Sequence, residues 1–239
     1  MSKLYLIPNI LTQAADGGSI ASSVALAIKH VRVFYVEEPK SARALLRKLD
    51  AQFPLTECMF VALNEHTSMQ EIQQYCVSSF KEGKDAGIIS EAGYPCVADP
   101  GAELVRLAHE SAVEVVPLTG ASSIILALAA SGLGGQNFAF NGYLPKDQGE
   151  RLKKIKALEQ RSLHEGQTQI IMETPYRNQG LWEDFLSVCH PKTLLCVACD
   201  ITGAQHMIKT ASIAQWKNKP ISLIKQPTLF VIGQVKQGG

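Results

Sequence analysis

Apolar residues along this chain gather into short dense runs, and amphipathic stretches alternate with them. Runs rich in β-branched and aromatic residues recur at 4–8, 31–38, 58–64, 86–90 and 114–118. Runs of that length and composition, bounded by polar or turn residues, predict strands. Between them, 19–29, 41–49, 68–80 and 102–111 repeat apolar residues at helical spacing. In the third of these, Met69, Ile72, Cys76, Val77 and Phe80 share one face. A βαβα order requires crossover connections, so the pattern predicts a mostly parallel sheet covered on both faces. A second series follows, with strands at 137–144, 169–173, 194–200, 206–210 and 227–232 and helices at 150–163 and 181–188. The joint is expected near 117–120, just before a small-residue helix at 122–131. The predicted fold is therefore two α/β lobes in tandem, over 1–117 and 118–239, meeting at a cleft suited to a small molecule.

Composition narrows the class. At 46% hydrophobic and 19% charged, the 239 residues suit a globular protein with a sizeable core and exclude a disordered tail. The longest apolar stretch, 124–130, is far short of a membrane span, and the apolar run near the N-terminus is broken by Pro8, unlike a secretion signal. A cytoplasmic protein is expected. The six cysteines are scattered and mostly sit inside apolar runs, as reduced buried thiols do. Cys196 and Cys199 form a C-x-x-C, but it lies within a continuous apolar run and has no second pair, so a buried strand is favoured over a metal site.

The net charge of +1 argues against a chain that grips nucleic acid by bulk electrostatics. The charge is unevenly divided: residues 1–140 hold ten Lys and Arg against fourteen Asp and Glu, and residues 141–239 hold thirteen against eight. Within 146–161, six basic residues face three acidic ones, which reads as a solvated helix face or as a patch meeting an anionic substrate.

Candidate chemistry concentrates in the segment SEAGYPCVADPG at 90–101, which follows a predicted strand and precedes a helix. Ligands of open α/β sheets bind at such carboxyl ends. Gly93 and Gly101 allow unusual backbone geometry, Pro95 and Pro100 stiffen the loop, and Asp99 is placed to cap the next helix. A second turn, TGASS at 119–123, brings the hydroxyls of Ser122 and Ser123 to a helix start. The dinucleotide fingerprint, the P-loop and the serine-hydrolase elbow are all absent from the sequence.

The 90–101 loop resembles the S-D-A-G-T-P-x-x-S-D-P-G loop of the tetrapyrrole methylase superfamily, in its ribosomal RNA small-subunit ribose methyltransferase branch. Further segments match in order. EEPKSARALL at 37–46 is similar to E-D-T-R-x-T-x-x-L-L, and Asn64-Glu65-His66 resembles part of H-x-H-N. Residues 117–123 match P-x-x-G-x-S, and FNGYLPKDQGER at 140–151 resembles F-x-G-F-L-P-x-K-x-G-x-R. ETPYR at 173–177 and ACDIT at 198–202 are similar to E-S-P-H-R and A-R-E-L-T. The resemblance implies a homodimeric methyltransferase that uses S-adenosylmethionine and acts on a ribose hydroxyl of ribosomal RNA in the small ribosomal subunit. By position it implies a cofactor loop of Gly93, Val97, Ala98 and Asp99, and an opposite wall including Ser122, Ser123, Met172, Ile201, Pro227 and Thr228. No metal is implied.

Methyl transfer to a hydroxyl needs a base or a cation near the acceptor oxygen. Glu37, Glu38, Lys40, His66, Glu173 and Arg177 lie in matched motifs, and Glu38 and His66 are the leading expectations for that role. Helix capping by Glu37 and Glu38, and a Glu173–Arg177 bridge, are the structural alternatives. The sequence departs from the branch at Pro8-Asn9-Ile10-Leu11, where a glycine is missing, and at Pro39, Lys40, Glu91, Tyr94 and Thr67. These departures keep two alternatives open: a methyltransferase of a tetrapyrrole or other small metabolite, and a non-catalytic cofactor-binding relative.

Overall fold

The computed structural model describes residues 2–12, 20–63, 67–68, 70, 72, 80, 82–223 and 225–234. Contacts divide the chain into two units, Met1–Ser122 and Ser123–Gly239, slightly beyond the joint expected at 117/118.

The first unit is built on a five-stranded sheet of β1 (Lys3–Ile7), β2 (Val33–Val36), β3 (Met59–Ala62), β4 (Ala86–Ile89) and β5 (Glu114–Pro117). The strands are all parallel, in the order β3-β2-β4-β1-β5. Helices α1 (Ser22–Ile28), α2 (Pro39–Leu49) and α3 (Ala102–Glu110) connect them. Alternate strand residues enter different cores. Tyr5, Ile7, Phe34, Val36 and Ile89 pack with α1 and α2, whereas Leu4, Val33, Tyr35, Ala86 and Ile88 pack with α3. Both faces are thus covered, as a parallel sheet requires. Of the helix expected at 68–80, the described residues Gln70, Ile72 and Phe80 are helical, and Ile72 and Phe80 join the α3-side core.

The second unit departs from the parallel pattern. Its sheet, β6 (Phe138–Phe140), β7 (Thr168–Glu173), β8 (Leu194–Cys199), β9 (Met207–Ser212) and β10 (Thr228–Gly233), runs in the order β6-β7-β10-β8-β9. Only β6 and β7 pair in parallel, while β10 lies antiparallel between β7 and β8, and β9 is antiparallel to β8. Helices α5 (Gln148–Glu165), α6 (Asn178–Val188) and α7 (Ile213–Lys217) cover one face around Trp182, Phe185, Trp216 and Phe230. On the other lies α4 (Ser123–Ser131), apolar nearly all round and packed against β8, β9 and β10.

Local signals explain the helix ends. Asp147 caps α5 by accepting from the Glu150 amide at 2.9 Å, and left-handed Gly166 stops the helix. The short α7 starts in a reciprocal capping box between Ser212 and Gln215. Cys196 and Cys199 both lie in β8, three residues apart, so their thiols leave opposite faces of the sheet and cannot converge on one metal ion. Burial pushes both thiols above the ordinary range.

In the first unit, Gly120 forms an isolated bridge with Ile20 and lies against Pro8. A Cβ at Gly120 would come within 2.0 Å of the rigid Pro8 ring. Gly120→Ala is therefore expected to destabilise the protein by about 1–3 kcal/mol, read as a lower urea midpoint with the slope unchanged.

Candidate cofactor-loop site

Because the first sheet is parallel, the carboxyl ends of β1, β2 and β4 lie along one edge. The chain leaves β1 and β2 toward the α1/α2 face and leaves β4 toward α3. Adjacent strands feeding opposite faces open a crevice at that edge, where doubly wound sheets bind ligands.

Asn9, two residues past β1, ties this edge together and is buried. Its amide donates to the Gly93 carbonyl at 2.7 Å. Its side-chain Nδ2 lies 3.0 Å from the Ser90 carbonyl, 2.9 Å from that of Glu91 and 3.1 Å from Ser41 Oγ. Asn9 Oδ1 accepts from the Ile10 amide at 2.8 Å. From the β2 end, Glu37 accepts from the Glu91 amide at 3.0 Å, and Ser41 of α2 donates to the Glu91 carbonyl.

The loop held this way carries unusual backbone geometry. Gly93 and Gly101 have φ of +72° and +127°, and the non-glycine residues Cys96 and Ala98 have φ of +67° and +65°. Left-handed conformations cost non-glycine residues about 1–2 kcal/mol each and persist only when surroundings enforce them. A Cβ at Gly101 would meet Cys96 Sγ at 2.7 Å. Val97 is 45% exposed, an uncommon position for a large apolar side chain, and Ala98 beside it is exposed too.

Asp99 sits in the same loop, and its carboxyl titrates at about 6 rather than near 3.8. Desolvation raises it first and the Glu37 charge second, with the Ser90 hydroxyl opposing and Glu91 adding a further push. Burial, together with Asp99, lifts the Cys96 thiol to about 11, so it stays protonated and non-nucleophilic.

In the second unit, sheet register gathers another set of expected residues. Thr228 pairs with Glu173 on one side and Cys199 on the other, and Leu229 pairs with Met172. The start of β10 thus lies between the ends of β7 and β8, bringing Met172, Pro227 and Thr228 to one edge. Ile201 follows two residues after β8, beyond Asp200, whose amide donates to the Pro227 carbonyl at 2.9 Å. Ile201 and Thr228 are buried, Met172 is half-buried and Pro227 is exposed. Ser122 ends the first unit and Ser123 opens α4 in the second, both half-buried.

The expected acid–base groups divide. Glu38 is exposed and caps α2, accepting from the Lys40 amide at 2.8 Å. Glu37 braces the loop instead of capping. His66 lies outside the described residues. Glu173 is fully buried with Arg177 Nη2 2.7 Å from its Oε2, and Arg177 also donates to the Leu144 carbonyl at 3.1 Å. Arg151 pairs with buried Asp184 at 2.6 Å and donates to the Pro145 and Lys146 carbonyls. Two arginines from separate motifs therefore clamp the 144–146 backbone. Asn9 was not among the residues expected at the site; the departure from the branch at 8–11 was the only pointer to it.

The family model for Tetrapyrrole (Corrin/Porphyrin) Methylases matches residues 16–215. The chain belongs to the tetrapyrrole methylase family. Among curated tetrapyrrole methylase relatives, "Ribosomal RNA small subunit methyltransferase I" of Escherichia coli O157:H7 is 28% identical over 213 residues, covering 89% of this chain and 70% of that protein. The protein of that name from Haemophilus influenzae is 35% identical over 168 residues, covering 70% of this chain and 56% of its own length. Among solved structures, the methyltransferase CobJ superposes with a TM-score of 0.63 at 15% identity, covering 100% of this chain and 96% of its own. Uroporphyrin-III-C-methyltransferase from Thermus thermophilus gives 0.55 at 17%, covering 98% and 93%. The two structures establish the tetrapyrrole methylase fold, and the family membership makes this chain a methyltransferase.

Two outcomes test the loop. Asn9→Ala leaves buried carbonyls without their donor and is expected to cost about 2–3 kcal/mol in thermal or urea unfolding. For Asp99, the raised value means the fold disfavours the ionised form, so stability present below pH 3.8 is lost as pH rises through about 6. Asp99→Asn should therefore raise the melting temperature at pH 7, by the equivalent of up to about 1 kcal/mol after solvent screening, with the gain vanishing near pH 3.5 in a pH series of melts.

Proposed function

We propose that this chain is an S-adenosylmethionine-dependent methyltransferase that methylates a ribose hydroxyl of ribosomal RNA in the small subunit. The observation that carries the reading is the similarity to proteins named for small-subunit ribosomal RNA methylation, at 28–30% identity over 89% of the chain. The tetrapyrrole-modifying neighbours share the fold at 15–17% identity.

The residues fit the cofactor. The Glu37 charge adds to the desolvation that makes Asp99 costly to ionise, a cost that a cationic ligand relieves. Exposed Val97 and Ala98 offer apolar surface to a purine or a thioether chain. In this reading Gly93, Val97, Ala98 and Asp99 hold the cofactor from the first unit. Ser122, Ser123, Met172, Ile201, Pro227 and Thr228 are the further residues proposed to bind it. When bound, S-adenosylmethionine supplies an electrophilic methyl carbon on a sulfonium. The chain's task is to hold the acceptor hydroxyl in line and take its proton. Glu38 is suited to the proton: one oxygen caps α2, and the other has no protein donor among the described residues. His66 is the second proposed participant. A cytoplasmic setting and a second copy of the chain as partner belong to the same reading, and among the described residues no helix is long and apolar enough to cross a membrane.

Purified protein given methyl-labelled cofactor and small ribosomal subunits lacking the mark is expected to place label in the RNA of that subunit. Glu38→Gln should lower kcat about a hundredfold while calorimetric cofactor affinity stays unchanged. Label appearing in no RNA, with cofactor binding intact, would overturn the substrate assignment.

A further inference from the structure

The basic surplus of the second unit does not sit where the sequence density of Lys and Arg suggested. On and around α5, three of the six basic side chains within 146–161 are paired: Arg151 with Asp184, Lys153 with Glu150 and Arg161 with Glu165. Residues 141–200 hold eight basic and eight acidic side chains, so that stretch is neutral. The entire excess falls in residues 201–239, which contain five lysines and no aspartate or glutamate.

Two of these lysines, Lys209 and Lys219, line a cavity of about 290 Å³ together with Thr210, Gln215, Trp216 and Asn218. The cavity lies where edge strand β9 turns into α7. Its frame is fixed from below. Trp216 is buried and donates its indole N–H to the Leu195 carbonyl at 2.8 Å. The α7 backbone is anchored by Ile213 to the Thr193 carbonyl and by Ala214 to that of Pro191. The Lys219 amide donates to the Trp216 carbonyl at 3.0 Å, which orders the turn after the helix. Lys209 Nζ rests 5.4 Å from the Trp216 ring centroid, and among the described residues no carboxylate pairs with either lysine. Two ammonium groups without a carboxylate partner, beside the side-chain amides of Gln215 and Asn218, are groups that suit a phosphate-bearing polyanion. A membrane-binding surface would set large apolar residues among its lysines. None of the exposed large hydrophobic side chains among the described residues lies within 201–223.

We propose that the β9–α7 face, centred on Lys209 and Lys219, binds the phosphate backbone of the substrate RNA. This rests on the RNA reading above and extends it to a docking surface.

The test is fluorescence anisotropy of a labelled 30-nucleotide single-stranded RNA with the full chain, from 50 to 200 mM KCl. Lys209→Gln with Lys219→Gln is expected to weaken binding about tenfold at low salt and to reduce the slope of log K against log salt by roughly 1.4, about 0.7 per lost contact. The Arg replacements at both positions should keep affinity and slope, and Lys154→Gln with Lys156→Gln on α5 should leave both unchanged. Melting temperature and calorimetric binding of S-adenosylmethionine check that each variant is folded. Wild-type affinity and slope in the Lys209/Lys219 double Gln variant would overturn the docking surface while leaving the RNA reading standing. If the wild-type protein shows no salt-dependent RNA binding, the RNA reading falls and the docking surface with it.

Discussion

Everything at the carboxyl edge of the first sheet depends on one buried amide. Asn9 spans the gap between β1 and β4, meeting the loop after β4 with its backbone N–H and its side chain. Without such a fastening, the left-handed geometry at Cys96 and Ala98 would relax, because nothing local favours it in residues that carry a Cβ. Glu37 and Ser41 add support from β2 and α2. The loop is thus shaped by groups on three different strands or helices, so its form is set when the unit folds rather than when a ligand arrives.

The second unit reaches a comparable end by other means. There the antiparallel insertion of β10 between β7 and β8 sets a strand start beside two strand ends, so residues far apart in sequence share one edge. The arginine clamp on 144–146 fastens the segment after β6 to the start of α6. Asp184 and Glu173, both buried, meet guanidinium partners there in place of water.

The first unit was largely legible in the sequence because its strands and helices differ in period and alternate strictly. The second was legible in element positions but not in pairing. β8 and β10 are buried along nearly their whole length, so neither shows the alternation that separates antiparallel from parallel strands. The five-residue α7 is too short for any periodicity to register. Of the positions matched by motif, Thr228 opens β10 and Asp99 lies in the loop between β4 and α3, whereas Asn9 escaped notice because a single asparagine carries no pattern. Part of the charge density of 146–161 is cancelled from afar: Asp184, which pairs with Arg151, is distant in sequence and invisible to a local count.

Lys209 has one more consequence. It stands in the middle of β9, whose outer side has no neighbouring strand among the described residues. A bare edge of this kind is a template for another chain's strand, and a lysine there is a common obstacle to such pairing. The same ammonium group that gives the face its charge therefore guards the sheet against edge-to-edge self-association. An apolar replacement at this one position would remove that guard.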